Sequence, residues 1–269
     1  MRKLLRTAYL VCCVGCTILL VFFLSTAAQP EPSIPQRPQE ETRLEQRLAE
    51  LPVVDFTDVD RNETSDPTRA AKNRRHNSSF SQEGVRRPKL NENMEPVLVD
   101  LPLTHQPAEP AIPVASDVIV IGTVRDAKAY LSSDRTDVYS EVTISVEEIL
   151  KTDPEYGLKI NGALTAERIG GAVRFPSGKI LRRARLGRNL PSNAHRYLLF
   201  LNQTGDGGFS IVTGYELTQN GIVPLDGGAD GKGFDEFKNY ERFRNASEAA
   251  LLEAVRKAIS ERTVGVGGV

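Results

Sequence analysis

The densest apolar run of the chain outside its N-terminus lies at 195–202. From Tyr197 to Leu201 every side chain is aliphatic or aromatic, so both alternate faces of an extended chain would be apolar. Such a strand is covered on both faces. A buried helix is usually longer than this run, which is bounded by Pro191 on one side and by the glycine-rich segment 205–208 on the other. The pattern therefore predicts a central β-strand that is covered on both sides.

Further β-type patterns follow and precede this strand. They are β-branched runs or alternations of apolar and polar positions at 117–125, 138–149, 164–169, 209–217 and, as a short last strand, 221–225. Gly122 lies where a strand of a small barrel would bend. The Gly-Asp-Gly-Gly segment 205–208 is typical of a hairpin turn. Together these patterns predict one mainly-β domain at 115–226.

After residue 234 the apolar period becomes that of a helix. Asn245-Ala246-Ser247-Glu248 resembles a capping box with Asn245 as the cap. One face of the helix then carries Leu251, Leu252, Val255, Ala258 and Ile259. We expect 227–262 to form a loop and an amphipathic helix that closes one end of the barrel. Residues 263–269 are predicted to be a flexible tail.

Residues 1–28 have the features of an export segment. Basic residues precede an uncharged run at 8–24, and small residues follow it at 25–28. The run is longer than the ~7–15 residues usual in a signal peptide and at the lower limit of the ~17–25 that span a bilayer. A cleaved signal and a retained anchor therefore both stay open. Either way we expect an extracytoplasmic protein, periplasmic or secreted, or held at the inner membrane by 8–24.

Residues 29–114 are rich in proline, amides and mixed charge. They offer too little apolar surface to offset the entropy of ordering, so they predict a disordered linker. The basic pairs 74–75 and 86–87 are interpreted as solvated parts of this linker.

All three cysteines, at 12, 13 and 16, lie in the N-terminal apolar run. The domain therefore has neither a disulfide framework nor a cysteine-based metal site. The 34 basic and 35 acidic residues of the chain nearly balance, so its total charge does not point to nucleic acid.

Basic residues cluster between the third and fourth predicted strands. This candidate anion-binding loop, 174–188, contains Arg174, Lys179, Arg182, Arg183, Arg185 and Arg188. Two interpretations stay open, a solvated loop and a surface that contacts anions such as lipid headgroups, an envelope polymer or an acidic protein. We expect no nucleic acid, because the domain is exported and aromatic residues do not alternate with the arginines.

The five main strands, with glycines at bends and a following helix, match an OB-fold barrel in number and spacing. The segments 115–124, 141–151 and 196–201 resemble exported bacterial proteins of unknown function. Those proteins carry an OB-fold module similar to the netrin-like domain of tissue inhibitors of metalloproteinases. The resemblance covers about 112–226 and implies a mainly-β chain: a five-stranded OB-fold-like barrel with a C-terminal amphipathic helix, preceded by the disordered linker and the apolar export helix.

The resemblance does not extend to inhibition. Inhibitors of that family chelate a catalytic zinc through an N-terminal cysteine held by disulfides, and this domain has no cysteine. We expect no catalytic site, metal or cofactor, and a non-enzymatic binding or scaffolding domain of the bacterial cell envelope. Its partners would be the membrane, through an uncleaved 8–24, and an envelope protein or anionic polymer. The alternatives are an anion- or polymer-binding module using 174–188 and a hydrolase using His195, the only histidine of the domain.

Overall fold

A computed structural model of the chain describes residues 48–58, 66–77, 88–94, 98–99, 109–185, 187–227 and 237–266. These residues belong to one compact unit, Thr42–Val269. The export segment predicted at 1–28 lies outside the described residues and stays a prediction.

The described part of the chain is mainly β with a long C-terminal helix, as the sequence predicts. Its strands are β1 (Val53–Asp55), β2 (Leu98–Val99), β3 (Val118–Leu131), β4 (Val138–Lys151), β5 (Ala163–Ile169), β6 (Gly171–Arg174), β7 (Ile180–Arg185), β8 (Arg196–Gln203), β9 (Phe209–Thr218) and β10 (Gly221–Pro224). Its α-helices are α1 (Pro67–Arg75) and α2 (Glu248–Val266). Short 3₁₀ helices lie at Pro154–Tyr156 and Tyr240–Phe243.

Six strands form the larger sheet, in the order β10-β9-β5-β4-β3-β8. Strand β3 pairs antiparallel with both β4 and β8, and β4 pairs antiparallel with β5. Strand β9 pairs with β8 antiparallel and with β5 in parallel. The pairings therefore lead from β3 through β4, β5, β9 and β8 back to β3.

Strand β8 is buried on both faces, which confirms the prediction for 195–202. Tyr197, Leu199 and Leu201 pack with the inward side chains of β3, β4, β5 and β9. Leu198 and Phe200 point the other way and pack beneath α2. Because successive side chains of a strand alternate between faces, β8 joins two hydrophobic cores.

Helix α2 covers a face of this sheet. Its residues Leu251, Leu252 and Val255 are buried against outward side chains of β3, β8, β9 and β10. The helix therefore packs on the outward face of the strands and not at one end of a barrel as predicted, since the outward side chains of four strands are themselves apolar and need cover. No helix in the described ranges is long and apolar enough to cross a membrane.

The predicted boundaries of α2 are wrong at both ends. The cap is Ser247, whose Oγ accepts a hydrogen bond from the Ala250 N–H at 3.2 Å. Asn245 instead has a left-handed backbone with φ 62°. At the other end the helix continues to Val266, into the predicted flexible tail, because no proline interrupts it.

The region between the third and fourth predicted strands is a hairpin, not a loop. Strands β6 and β7 pair antiparallel, and β1 and β2 add to their outer edges in parallel. Gly171 lets the chain leave β5 for this second sheet, since its φ is 147° and a Cβ there would lie 2.8 Å from Cγ1 of Val138. The hairpin forms because Val173, Phe175 and Leu181 pack in a third core.

The described parts of the predicted disordered linker are folded, which corrects that prediction at 48–58, 66–77 and 88–94. Val54 and Leu90 are buried in the third core, beside the hairpin. Helix α1 lies on the larger sheet. These short segments have too few apolar residues to fold alone, but the sheets supply the surface that covers them.

Candidate functional site

The predicted anion-binding residues do not form one group of unpaired cations. Arg174 and Lys179 are exposed near the tip of the β6–β7 hairpin, and Arg174 lies 3.5 Å from Asp55. Arg182 donates from Nε to the Leu48 carbonyl at 2.8 Å. Arg174 and Arg182 therefore both contact the segment 48–58.

Two of the other predicted cations, Arg183 and Arg188, are held within the domain. Arg183 is buried and donates to the carbonyl of Thr136 at 3.4 Å. Arg188 forms an ion pair with Glu109 and donates to the Val212 carbonyl at 3.2 Å. Arg185 ends β7, where its backbone pairs with β2. Anion binding by 174–188 stays a prediction.

His195 forms a hydrogen bond with Glu216 at the surface. Its Nδ1 lies 2.8 Å from Oε1 of Glu216, and the side chain is half exposed. The described contacts of its imidazole include no hydroxyl that could serve as a nucleophile. The hydrolase alternative therefore gains no support from this geometry.

A different group of residues comes together where α1 lies on strands β4 and β5. The helix begins at Asp66, whose carboxylate accepts hydrogen bonds from the N–H groups of Thr68 and Arg69 at 2.9 and 3.1 Å, with Pro67 in the first turn. Within the helix only Ala70 and Asn73 are buried. So short and polar a helix is marginal by itself, so its docking must stabilise it.

The strands beneath α1 carry two glutamates directly opposite each other. Glu141 of β4 and Glu167 of β5 are partners in the strand register, and their side chains are only 11% and 8% exposed. Like charges at such positions repel, and partial burial weakens the screening by water. The pair is therefore a cost to the sheet unless cations compensate it.

Helix α1 supplies these cations from one side. Arg69 donates to both carboxylate oxygens of Glu141, at 2.9 and 2.8 Å, and Lys72 donates to the same carboxylate at 2.8 Å. Arg75 lies 2.5 Å from Glu167. Residues three apart on a helix lie on the same side, so all three cations reach the strands together.

Aromatic rings complete the contact. The guanidinium carbon of Arg69 lies 3.6 Å from the ring centroid of Tyr130, and one of its N–H groups donates to the Tyr139 hydroxyl at 3.1 Å. That hydroxyl in turn donates to Oδ1 of Asn73 at 2.8 Å. The ring of His76 stacks on Tyr139 with centroids 4.0 Å apart. Burial raises the pKa of Tyr139 well above its ordinary value, so its hydroxyl stays protonated.

Two loops contact the C-terminal end of α1. In the β3–β4 turn, 132–137, the Ser133 N–H donates to the Asn73 carbonyl at 3.2 Å, and the Asp134 N–H donates to Oδ1 of Asn77 at 3.0 Å. In the β8–β9 turn, 204–208, Asp206 forms an ion pair with Arg75 at 2.5 Å. We call Tyr130, Tyr139, Glu141, Glu167 and Asp206 the acidic face.

Two carboxylates of the acidic face, those of Glu141 and Asp206, are held in their charged form. Burial opposes the charge of Glu141, but hydrogen bonds from Arg69 and Lys72 outweigh it and lower the pKa of that carboxyl. Partial burial likewise opposes the charge of Asp206, but hydrogen bonds from Thr204 and Arg75 lower its pKa to about 2. These two carboxylates are therefore anionic throughout the physiological pH range.

The sequence alone does not reveal this site, because its two halves lie far apart in the chain. Glu141 belongs to the polar side of an alternating strand, which predicts a solvent-exposed face. The basic residues at 69–76 lie in the predicted linker. A local signal was present, since Asp66-Pro67 is a typical helix start and basic residues follow in the last turn.

The described residues contain no group of three His, Cys, Asp or Glu side chains arranged to hold a metal ion. No protein-family model, curated protein or solved structure matches this chain.

Proposed function

We propose that the domain is a non-enzymatic binding module whose ligand face is the acidic face, and that its ligand is a cationic polypeptide segment. The observation that carries the proposal is the opposed pair Glu141 and Glu167, compensated by cations of α1. A sheet would be more stable with an apolar or oppositely charged pair at these positions. Such a conflict with stability is expected where a protein keeps a binding site.

We propose that strands β3, β4, β5, β8 and β9 form a five-stranded OB-fold barrel. The order of pairing supports this, because the first strand pairs with the second and fourth, and the fifth with the third and fourth. OB-folds bind ligands on their second and third strands and on the loops after strands one and four. These correspond here to β4, β5, 132–137 and 204–208, which are the elements that contact α1.

The charge of the acidic face decides the class of ligand. An anionic polymer would be repelled by Glu141, Glu167 and Asp206. The acidic face instead binds the guanidinium and ammonium groups of α1. In agreement with the features of 1–28, we place this module outside the cytoplasm of a bacterium. There it would be periplasmic, secreted or held at the inner membrane by 8–24.

A peptide binding experiment tests this function. The protein is the full chain with the substitutions Arg69→Ala, Lys72→Ala and Arg75→Ala, here called the release variant. It is studied in detergent. The probe is a fluorescent peptide with the sequence of 66–77. We expect the release variant to bind this peptide, with an affinity that falls as salt rises, because the contacts are mainly ionic.

The controls make the binding site specific. Glu141→Gln with Glu167→Gln in the release variant should abolish binding, whereas Glu148→Gln, an exposed acid on the same strand, should not change it. A peptide with glutamine in place of its three cations should not bind. Failure of the release variant to bind, despite a normal circular dichroism spectrum, would remove the proposal.

A further inference from the structure

Removing α1 from the acidic face costs free energy unless other cations replace those of the helix. Glu141 and Glu167 oppose each other in the strand register, and with α1 in place they are mostly shielded from water. If α1 departed, these two like charges would lose their cations, and like charges directly opposite each other on a sheet are destabilising. Release of α1 is therefore favoured when other cations take its place, which makes this a site of exchange.

The geometry also specifies what can replace α1. Arg69 donates to both oxygens of one carboxylate while its guanidinium plane lies over the ring of Tyr130. A guanidinium permits this combination and an ammonium does not. Lys72 and Arg75 follow at intervals of three. The preferred ligand is thus a helix with arginine at its first contact position and further cations three and six residues later.

Helix α1 is a modest ligand for so specific a site. It buries only Ala70 and Asn73, and its outermost ion pair, Arg75 with Asp206, is 31% and 27% exposed. That ion pair therefore contributes little to the affinity of the helix. The helix is instead favoured because it belongs to the same chain, which gives it a high effective concentration at the face.

We propose that α1 is an intramolecular competitor, and that the acidic face takes a longer basic helix from a partner protein by displacing it. The inference rests on the proposed function, because it requires that the face bind cationic helices at all. Charge complementarity and the fixed spacing of the carboxylates identify the partner by chemistry. The protein would then bind only partners that outcompete its own helix.

Competition is tested by comparing the unaltered full chain with the release variant. The probe is a helical peptide that contains 66–77 followed by a second copy of 68–77, so that no proline interrupts the longer helix. We expect the release variant to bind it at least about tenfold more tightly than the unaltered chain, because a site that is free for a fraction of the time loses affinity by that fraction. Arg256→Ala, which removes an exposed arginine from another surface, should bind like the unaltered chain.

Hydrogen exchange of the ¹⁵N-labelled unaltered chain tests displacement directly. With saturating unlabelled peptide, the amides of 70–75 should exchange at least about tenfold faster, since they belong to a displaced helix. Equal affinity of the two proteins, or binding without loss of this protection, would overturn competition while leaving the proposed function intact. If neither protein binds, the proposed function itself fails. A concentration-dependent dimer of the unaltered chain that exchanges α1 would overturn the partner proposal in favour of a second copy.

Discussion

Glu141 and Glu167 lie on the polar sides of strands whose other sides are apolar, and such residues usually face water. Here they are covered by Arg69, Lys72 and Arg75, which precede them by about 70 to 90 positions in the chain. Each carboxylate is therefore tolerated because a distant segment compensates it. The free energy that each of these contacts contributes to stability can be measured one residue pair at a time.

A double-mutant cycle of Arg69→Ala and Glu141→Gln measures that value. Because the pair is bidentate and its side chains are 15% and 11% exposed, we expect a coupling free energy of about 1–3 kcal/mol in urea unfolding. The matched pair Arg256 and Glu148, at 57% and 42% exposed, should couple by less than ~1 kcal/mol. Equal coupling in both cycles would show that the contact with α1 is an ordinary surface ion pair.

Acid should undock α1. Asp206 has a pKa of about 2 against an ordinary value of 3.8, and the pKa of Glu141 is also lowered. A carboxyl whose pKa is lower in the folded state stabilises that state at pH values above its ordinary pKa. This stabilisation is lost as the pH falls toward the pKa of the folded state. Protection of the α1 amides should therefore decline below about pH 4.

The chain with Asp206→Asn and Glu141→Gln serves as the control for this titration. In that protein the dependence of α1 protection on pH should become flatter, because two of the titrating carboxylates are gone. Protection that is constant from pH 6 to pH 2.5 in the unaltered chain would contradict the ionic account of docking.

At the scale of elements, the sequence predicts well those segments whose own pattern decides their structure. Strand β8 is apolar on both faces, and α2 has a continuous apolar face, so each could be predicted without its neighbours. Helix α1 and the β6–β7 hairpin could not, since they are stabilised by residues distant in sequence. The basic residues of that hairpin illustrate the difference, because Arg183 is buried beside Thr136 although its neighbours suggest a solvated loop.

The stability of α1 should be separable from that of the sheets. Asp66→Ala removes the N-cap that accepts from Thr68 and Arg69. We expect it to lower the protection of the α1 amides by about 1 kcal/mol in native-state hydrogen exchange. The urea midpoint reported by the β3 and β8 amides should stay the same. A parallel fall of both would mean that α1 and the sheets unfold as one unit.

At the scale of the whole molecule, one region of the chain serves two purposes. The range 29–114 has the composition of a linker, yet its described parts complete a core through Val54 and Leu90 and cover the acidic face through α1. A domain that carries its own ligand on the adjoining segment can limit binding until a competitor arrives. This arrangement depends on the match between α1 and the opposed glutamates.

The effect of Glu141→Gln with Glu167→Gln on the urea midpoint tests that match most directly, when it is measured in two backgrounds. In the unaltered chain the substitutions remove the partners of α1, so they should lower stability. In the release variant the same substitutions relieve uncompensated repulsion, so they should raise stability by about 0.2–1 kcal/mol. Glu148→Gln removes only the contact with Arg256, so it should shift the midpoint equally in both backgrounds. A change of the same sign in both backgrounds would contradict the claim that the acidic face is built to hold a basic helix.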